Sequence, residues 1–291
     1  MHPELIGNIT AIVLVRNEED IIDLCLKNLK KYFDNIIVID MESTDRTVQI
    51  AQALEVKILS HPIIDNFDAA RNIGIKSANT EWIFINDADE FITENLFCQI
   101  KAETKKQEAD ILKIPRANIH LGKYMVSLSP EYLPRVFKKS ALSITESFSG
   151  NLHSFYKFKE GAVSLNCQYS YPENCMLHFS NLEIEGLVAK INAYTTIEAL
   201  QVNKTPIKFQ GISVLYAGIK SFFITFMRKK AYKDKYIGFL WSLFDAIYAM
   251  LVVIKYHERA SNKFNHRMNK RDLFIDNINK TNKSIINGKS N

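Results

Sequence analysis

Ile9-Thr10-Ala11-Ile12-Val13-Leu14-Val15, followed at once by Arg16-Asn17-Glu18-Glu19-Asp20, decides the architecture. Seven residues of nearly unbroken apolar and β-branched character suit a strand buried on both faces of a parallel sheet. The polar run then leads into Ile21, Ile22, Leu24, Cys25 and Leu29, spaced for one face of a helix. Its acids fall in the first turn, where the helix dipole favours them. Outward from there the alternation repeats. Ile36–Ile39 reads as a second strand, and Ser43-Thr44-Asp45 opens a helix running to Leu54 with Ser43 or Thr44 as its cap. Val56–Leu59 is a third strand, Asp68–Ala78 a helix, and Trp82–Ile85 a fourth strand. Strand and helix in turn predict an α/β fold, a parallel sheet with helices on both faces.

Beyond Glu94 the rhythm loosens. Ile111–Ile114 reads as a strand, and Lys123–Cys175, punctuated by Pro130, Pro134, Gly150, Gly161 and Pro172, as loops and short antiparallel strands. From Leu182 the pattern is helical, and the tail after His257 is rich in Asn and Lys. The expected organisation is a catalytic domain over 1–180, a helical region over 181–260 and a polar, flexible tail over 261–291. A chain of 291 residues with 47% hydrophobic and 24% charged residues can bury a real core, which excludes general disorder. Cys25, Cys98, Cys167 and Cys175 show no zinc spacing and no disulfide framework. Cys25 and Cys98 sit among apolar residues and are expected in the core, and the cysteine usage fits a reducing, cytoplasmic setting. The start, Met1-His2-Pro3-Glu4, does not read as a signal peptide.

In open α/β sheets, ligands sit outside the carboxyl ends of the strands. The polar clusters just past those ends are Arg16-Asn17-Glu18-Glu19, Asp40-Met41-Glu42-Ser43-Thr44-Asp45, Asp68-Ala69-Ala70-Arg71-Asn72 and Asn86-Asp87-Ala88-Asp89-Glu90. Taken singly, Asp40 or Asp45 is as readily a helix cap as a ligand group. Asp87-Ala88-Asp89 says more. Its carboxylates, with Glu90 beside them, repel one another directly after a buried strand, and a divalent cation would relieve that repulsion. Hard cations bind nucleotide phosphates through one or two protein carboxylates, leaving the other positions to phosphate and water.

With these residues in hand, the segment Ile9–Glu90 resembles family 2 glycosyltransferases of the GT-A fold, the nucleotide-diphospho-sugar transferase fold with a Rossmann-like, mostly parallel sheet. The shared pattern is Asn17-Glu18, then Val38-Ile39-Asp40 with Ser43-Thr44-Asp45, then Ala70-Arg71-Asn72, then Asp87-Ala88-Asp89. Further motifs are similar to the branch of lipopolysaccharide-core β-1,4-glucosyltransferases: Ile114-Pro115-Arg116-Ala117-Asn118, Pro130 to Phe137, His178-Phe179-Ser180, and Lys190 to Ala199. The resemblance implies transfer of a hexose, glucose favoured, with inversion, from a nucleotide-diphosphate sugar (a UDP-sugar favoured) to a glycan or lipid-linked acceptor. Mg²⁺ or Mn²⁺ is the implied metal. Asp40 would hydrogen-bond the uracil base, Asn17, Glu18 and Arg71 would line the donor, Asp87 would bind ribose or support the metal, and Asp89 would ligate it. His153 and His178 each offer a further metal ligand or phosphate contact. An Asp or Glu should act as general base. The branch carries His-Glu where this chain has His153-Ser154, so the base is assigned to Glu131, with Glu146 next.

Other readings fare worse. A dinucleotide-dependent oxidoreductase should show GxGxxG after the first strand, where this chain has acids that would repel a pyrophosphate. A sugar nucleotidyltransferase would need a Gly-rich loop with Arg at the same point. A peptide or protein acceptor, and a catalytically weak sugar-nucleotide-binding protein, stay open. No nucleic-acid partner is expected. Net charge is +5, with Lys220, Arg228, Lys229, Lys230, Lys233 and Lys235 set between apolar stretches Ile212–Phe226 and Tyr236–Ile254. Basic residues beside apolar and aromatic ones suit peripheral attachment at the inner face of the cytoplasmic membrane. Asp245 opposes a spanning helix, and burial of this helix against the catalytic domain is the competing expectation.

Overall fold

The computed structural model describes residues 6–63, 67–143, 156–180, 183–201 and 211–260. The proposed tail over 261–291 lies outside them. In chain order the elements are β1 (Ile6–Val15), α1 (Ile22–Leu29), β2 (Phe33–Asp40), α2 (Thr47–Ala53), β3 (Lys57–Ser60), α3 (Phe67–Ser77), β4 (Trp82–Asp87), β5 (Glu90–Ile92), α4 (Glu94–Lys106), β6 (Ile111–His120), β7 (Lys123–Tyr124), β8 (Glu131–Lys138), β9 (Ser164–Asn166), β10 (Met176–Ser180), α5 (Ile184–Gln201), α6 (Gly211–Phe223) and α7 (Lys235–Ala260). They fall into two compact units. One holds the described residues up to Gly186 with Lys229–Gly238, and the other holds Leu187–Arg228 and the described residues from Phe239.

In the first unit a single sheet runs β3-β2-β1-β4-β8-β6-β10-β5, with β7 and β9 added beside β6. Strands β3, β2, β1 and β4 are mutually parallel. Strand β8 then enters antiparallel between β4 and β6. The strand expected over Ile111–Ile114 extends to His120, through Pro115. Its ladder on one side passes from β9, which pairs Ile111–Lys113, to β10, which pairs Arg116–His120. Pro115 falls in the gap, where no donor is needed on that side.

Burial on both faces explains the continuous apolar strands. Along β1, Ile9, Ala11, Val13 and Val15 enter one core with Trp82 and Phe84 of β4, while Ile12 and Leu14 enter the other with Ile83 and Ile85. Helix α3 covers the second core at close range. A methyl on Gly74 would stand 2.8 Å from Ile39 Cδ1 and 2.9 Å from Ile12 Cγ2, so only glycine allows that approach.

Two sequence expectations are corrected here. Cys98 is exposed, because α4 turns Leu96, Phe97, Ile100 and Thr104 inward and Cys98 outward. Helix α2 begins at Thr47, and neither Ser43 nor Thr44 caps it. The Asp45 carboxylate takes the Thr47 amide at 2.9 Å and its hydroxyl at 2.5 Å, since an anion matches the unpaired first-turn donors better than a hydroxyl.

Candidate active site

At the carboxyl ends of β1 and β2 two loops are laced together. Asn17 adopts φ +56°. Its amide donates to Ser43 Oγ at 2.9 Å, and its side-chain oxygen accepts the Thr44 amide at 2.8 Å. The Glu18 amide donates to Thr47 Oγ1 at 2.8 Å and the Glu19 amide to Asp45 Oδ2 at 3.1 Å. Glu19 Oε2 in turn accepts the Arg46 amide and Nε, at 3.0 and 3.1 Å. The Ser-Thr-Asp motif therefore fastens the loop that carries Asn17 and Glu18. Asp40, buried at the end of β2, accepts the Ser43 amide at 3.3 Å on each carboxylate oxygen.

At the end of β4 the chain turns tightly from Asp87 to Glu90. The fully buried Asn86 holds that turn by donating to Asp87 O at 2.7 Å and Glu90 O at 3.1 Å, while Glu90 Oε2 accepts the Asp87 amide at 3.0 Å. The mutual repulsion of acids expected from the sequence is relieved by arginines. Arg71 Nη2 lies 2.5 Å from Asp87 Oδ1, and Arg135 Nη2 2.7 Å from Asp87 Oδ2. The same Arg135 nitrogen lies 2.5 Å from Glu90 Oε1, which also accepts Arg116 Nη1 at 3.0 Å. Burial alone would raise the Asp87 pKa, but the charges of Arg135 and Arg71 outweigh it and hold that carboxyl far below the usual carboxylate range.

Asp89 points elsewhere: its Oδ2 stands 3.3 Å from His178 Nε2. Nδ1 of that ring meets Asn118 Oδ1 at 2.7 Å. Asn118 Nδ2 donates to the Leu128 carbonyl at 2.7 Å and to Glu131 Oε2 at 3.4 Å. Glu131, the first residue of β8 rather than a loop residue, also receives Arg116 Nη2 at 2.6 Å and Nε at 3.2 Å on that oxygen. Burial pushes its pKa up, yet the Arg116 charge and hydrogen bonds prevail and leave it lowered.

Asp87, Asp89, Arg71, Glu131 and His178 are thus joined in one chain of contacts. Glu146, His153 and Ser154 lie outside the described residues. The arrangement also contains Glu90, Arg116, Arg135 and Asn118 in supporting positions. Their residue types were visible in the Arg116-Ala117-Asn118 and Pro134-Arg135 motifs, but pairings across three strands were not.

Among the described residues no group of three or more His, Cys, Asp or Glu could hold a metal ion. The pair Asp89 and His178 still fits a divalent ion whose remaining ligands come from elsewhere. The Leu128 carbonyl can only accept, so Asn118 must turn its oxygen to His178, and Nδ1 must carry the proton. Nε2 is left to face Asp89 Oδ2 at 3.3 Å, a nitrogen and an oxygen placed where both could ligate one cation. Adjacent ligands at bonds of about 2.1 Å stand on the order of 3 Å apart. Asp87, with both oxygens turned to guanidinium groups, fits a second-layer support better than a ligand.

The arginine clamp makes a test of its own. A carboxylate with a depressed folded pKa stabilises the fold fully above its unfolded value and loses that contribution as pH falls through the folded value. Urea unfolding should therefore show level stability from pH 7 to about 5 and a decline below about 4, where unfolded carboxylates protonate. Asp87→Asn should cost about 3 kcal/mol at pH 7 by taking a counter-charge from the guanidinium groups of Arg71 and Arg135, and should flatten the acid decline. Unchanged stability in that variant would contradict the clamp.

The residues that build this site lie within a longer match. Residues 10–182 match the family model described as Glycosyl transferase family 2. An uncharacterized glycosyltransferase of Rickettsia bellii is 26% identical over 259 residues, spanning 87% of each chain. Among solved structures, S. aureus TarS (residues 1–349) is 14% identical, with 90% of this chain and 94% of that one covered at a TM-score of 0.41. Glucosyl-3-phosphoglycerate synthase of Mycobacterium tuberculosis, solved with Mn²⁺, UDP-glucose and phosphoglyceric acid, is 17% identical, with 47% of this chain and 58% of that one covered at a TM-score of 0.35. With more than half of its length matched by that family model, and a GT-A fold, the chain belongs to glycosyl transferase family 2.

Proposed function

We propose that this glycosyltransferase transfers a hexose, glucose first, from a UDP-sugar to a glycan or lipid-linked acceptor with inversion, in the manner of the lipopolysaccharide-core β-1,4-glucosyltransferase branch. The catalytic domain would be residues 1–180, with 181–260 as its helical region. The observation that carries this reading is the 3.3 Å approach of Asp89 Oδ2 to His178 Nε2 beside an arginine-locked Asp87. Asp89 and His178 would hold Mg²⁺ or Mn²⁺, which when bound supplies charge stabilisation to a departing diphosphate. Asp40 would accept a hydrogen bond from uracil, and Asn17 and Glu18 would line the donor on their laced loop. Arg71, pinned by Asp87, would lie near the nucleotide.

In the transfer the acceptor oxygen bonds to the anomeric carbon as the bond from that carbon to the diphosphate breaks, and the acceptor proton passes to a carboxylate. Glu131 is proposed for that proton. Arg116 keeps it ionised, hence ready to accept, though less basic than an unpaired glutamate.

A mass-spectrometric screen of UDP- and GDP-sugars with Mn²⁺, Mg²⁺ or chelator tests the reading. UDP-glucose should be consumed only with metal, and slow hydrolysis should appear without acceptor. Asp89→Ala should abolish turnover while its circular dichroism and melting temperature stay close to the parent's, because its carboxylate holds no arginine or lysine and its partner His178 keeps its bond to Asn118. Undiminished turnover with chelator, or in Asp89→Ala, would refute the metal assignment. Inert UDP-hexoses with a bound donor would favour a sugar-nucleotide-binding protein, and transfer to peptides would redirect the acceptor.

Glu131→Gln separates the base from the donor site. It should lower kcat by about 10²–10⁴-fold with donor KM little changed. An active variant would pass the role to Glu146 or His153.

A further inference from the structure

We propose that Asp234, far along the chain from the site, is a positioning residue for the pair Asp89 and His178. It fixes the turn whose carbonyl orients Asn118, and Asn118 orients the imidazole. The inference rests on the reading of that pair as the metal ligands.

Asn118, 4% exposed, is gripped by the segment between β7 and β8. Its carbonyl accepts the Met125 amide at 2.9 Å, its amide donates to Ser129 Oγ at 2.9 Å, and its Nδ2 donates to the Leu128 carbonyl at 2.7 Å. Its Oδ1 meets His178 Nδ1 at 2.7 Å. A shift of the segment therefore turns the Asn118 side chain, and the ring follows it.

That segment does not hold itself. Val126–Leu128 is one turn of 3₁₀ helix, and none of its three residues is buried. The bonds that close it are long, 3.3 Å from the Leu128 amide to the Met125 carbonyl and 3.5 Å from the Ser129 amide to the Val126 carbonyl. Such a turn leaves its first amides without partners of its own. The Asp234 carboxylate takes both: Oδ1 accepts the Val126 amide at 2.6 Å and Oδ2 the Ser127 amide at 3.0 Å. One oxygen for each amide makes a pair of charge-assisted bonds, and negative charge suits the start of a helical turn.

Asp234 is itself held in place. Lys229–Gly238 belongs to the same compact unit as the site. Within it Ala231–Asp234 forms a second 3₁₀ turn, flanked by Lys230 at φ +63° and Lys235 at φ +54°. Ala231 is fully buried, and a methyl on Gly238 would overlap the Ala231 carbonyl oxygen, so only glycine lets the first turn of α7 close on it. In sequence Asp234 is the one acid between Arg228 and Lys235, hidden in a basic run.

The test is the Mn²⁺ affinity of the full chain with saturating UDP, read from the free-ion electron paramagnetic resonance signal. Loss of an outer partner of a metal ligand costs about 10- to 100-fold in affinity or activity. Asp234→Ala should weaken Mn²⁺ binding by about tenfold or more, and should raise the Mn²⁺ concentration that half-saturates turnover. Asp234→Asn keeps one acceptor oxygen but sets an amino group against the second amide. It should fall between the parent and Asp234→Ala, and it carries the test if the alanine variant does not fold. Asp110→Ala controls for a purely structural loss. That carboxylate takes the Val163 amide and Lys138 Nζ, each at 3.1 Å, at the opposite end of β6, so its removal should lower the melting temperature and leave Mn²⁺ affinity unchanged. Parent-like affinity in both Asp234 variants, with His178→Ala impaired, would overturn the role of Asp234 and leave the metal pair standing. An equal loss of affinity in Asp110→Ala would overturn it too. A parent protein that binds no Mn²⁺, or a His178→Ala protein that binds it as the parent does, would remove the pair as metal ligands and this inference with it.

Discussion

Glu90 is completely buried inside the sheet, where a carboxylate must find cationic or hydrogen-bonding partners, and the site is built around that requirement. Arg116 and Arg135 meet it from neighbouring strands. They can do so because β8 enters antiparallel between β4 and β6, which sets Arg135 beneath the turn after β4. Arg135 then has a second partner in Asp87, which draws in Arg71 from α3, and Arg116 has a second partner in Glu131. One buried charge thus orders four elements around the end of β4.

The clamp separates two carboxylates that look equivalent in sequence. Asp87 is committed to guanidinium groups. Asp89, two residues on, is turned toward an imidazole whose orientation is set by Asn118, itself set by a carbonyl of the segment before β8. A backbone acceptor, an amide, a ring and a carboxylate in series fix which nitrogen faces Asp89. Such outer partners orient ligand groups and hold their tautomers, which is the reason the pair suits a metal-bound diphosphate.

The alternation of β1 to β4 with α1 to α3 was legible because β1, β2 and β4 are buried on both faces and carry unbroken apolar runs. The DxD motif was legible by position, just past a buried strand. Pairings that depend on distant chain were not. Glu90 reads as one more acid in a turn until Arg116 and Arg135 are placed beside it. Pro115 reads as a strand end until β9 and β10 are seen to leave a gap at its nitrogen. Cys98 reads as core because its neighbours are apolar, although a helix buries only part of its circumference. Glu131 falls in a proline-punctuated stretch that reads as loops and short strands, and only the structure shows that it opens a strand whose partner carries the arginine that holds it.

The central claim is that Asp89 and His178, and not Asp87, hold the ion that meets the donor diphosphate. Electron spin-echo modulation of Mn²⁺ bound to the protein with UDP measures this directly, because a coordinated imidazole nitrogen leaves its own modulation on the manganese signal. The account predicts nitrogen modulation in the parent protein, its disappearance in His178→Ala, and bound Mn²⁺ in Asp87→Asn. A Mn²⁺–UDP complex with no nitrogen modulation, or modulation that survives removal of His178, would contradict it.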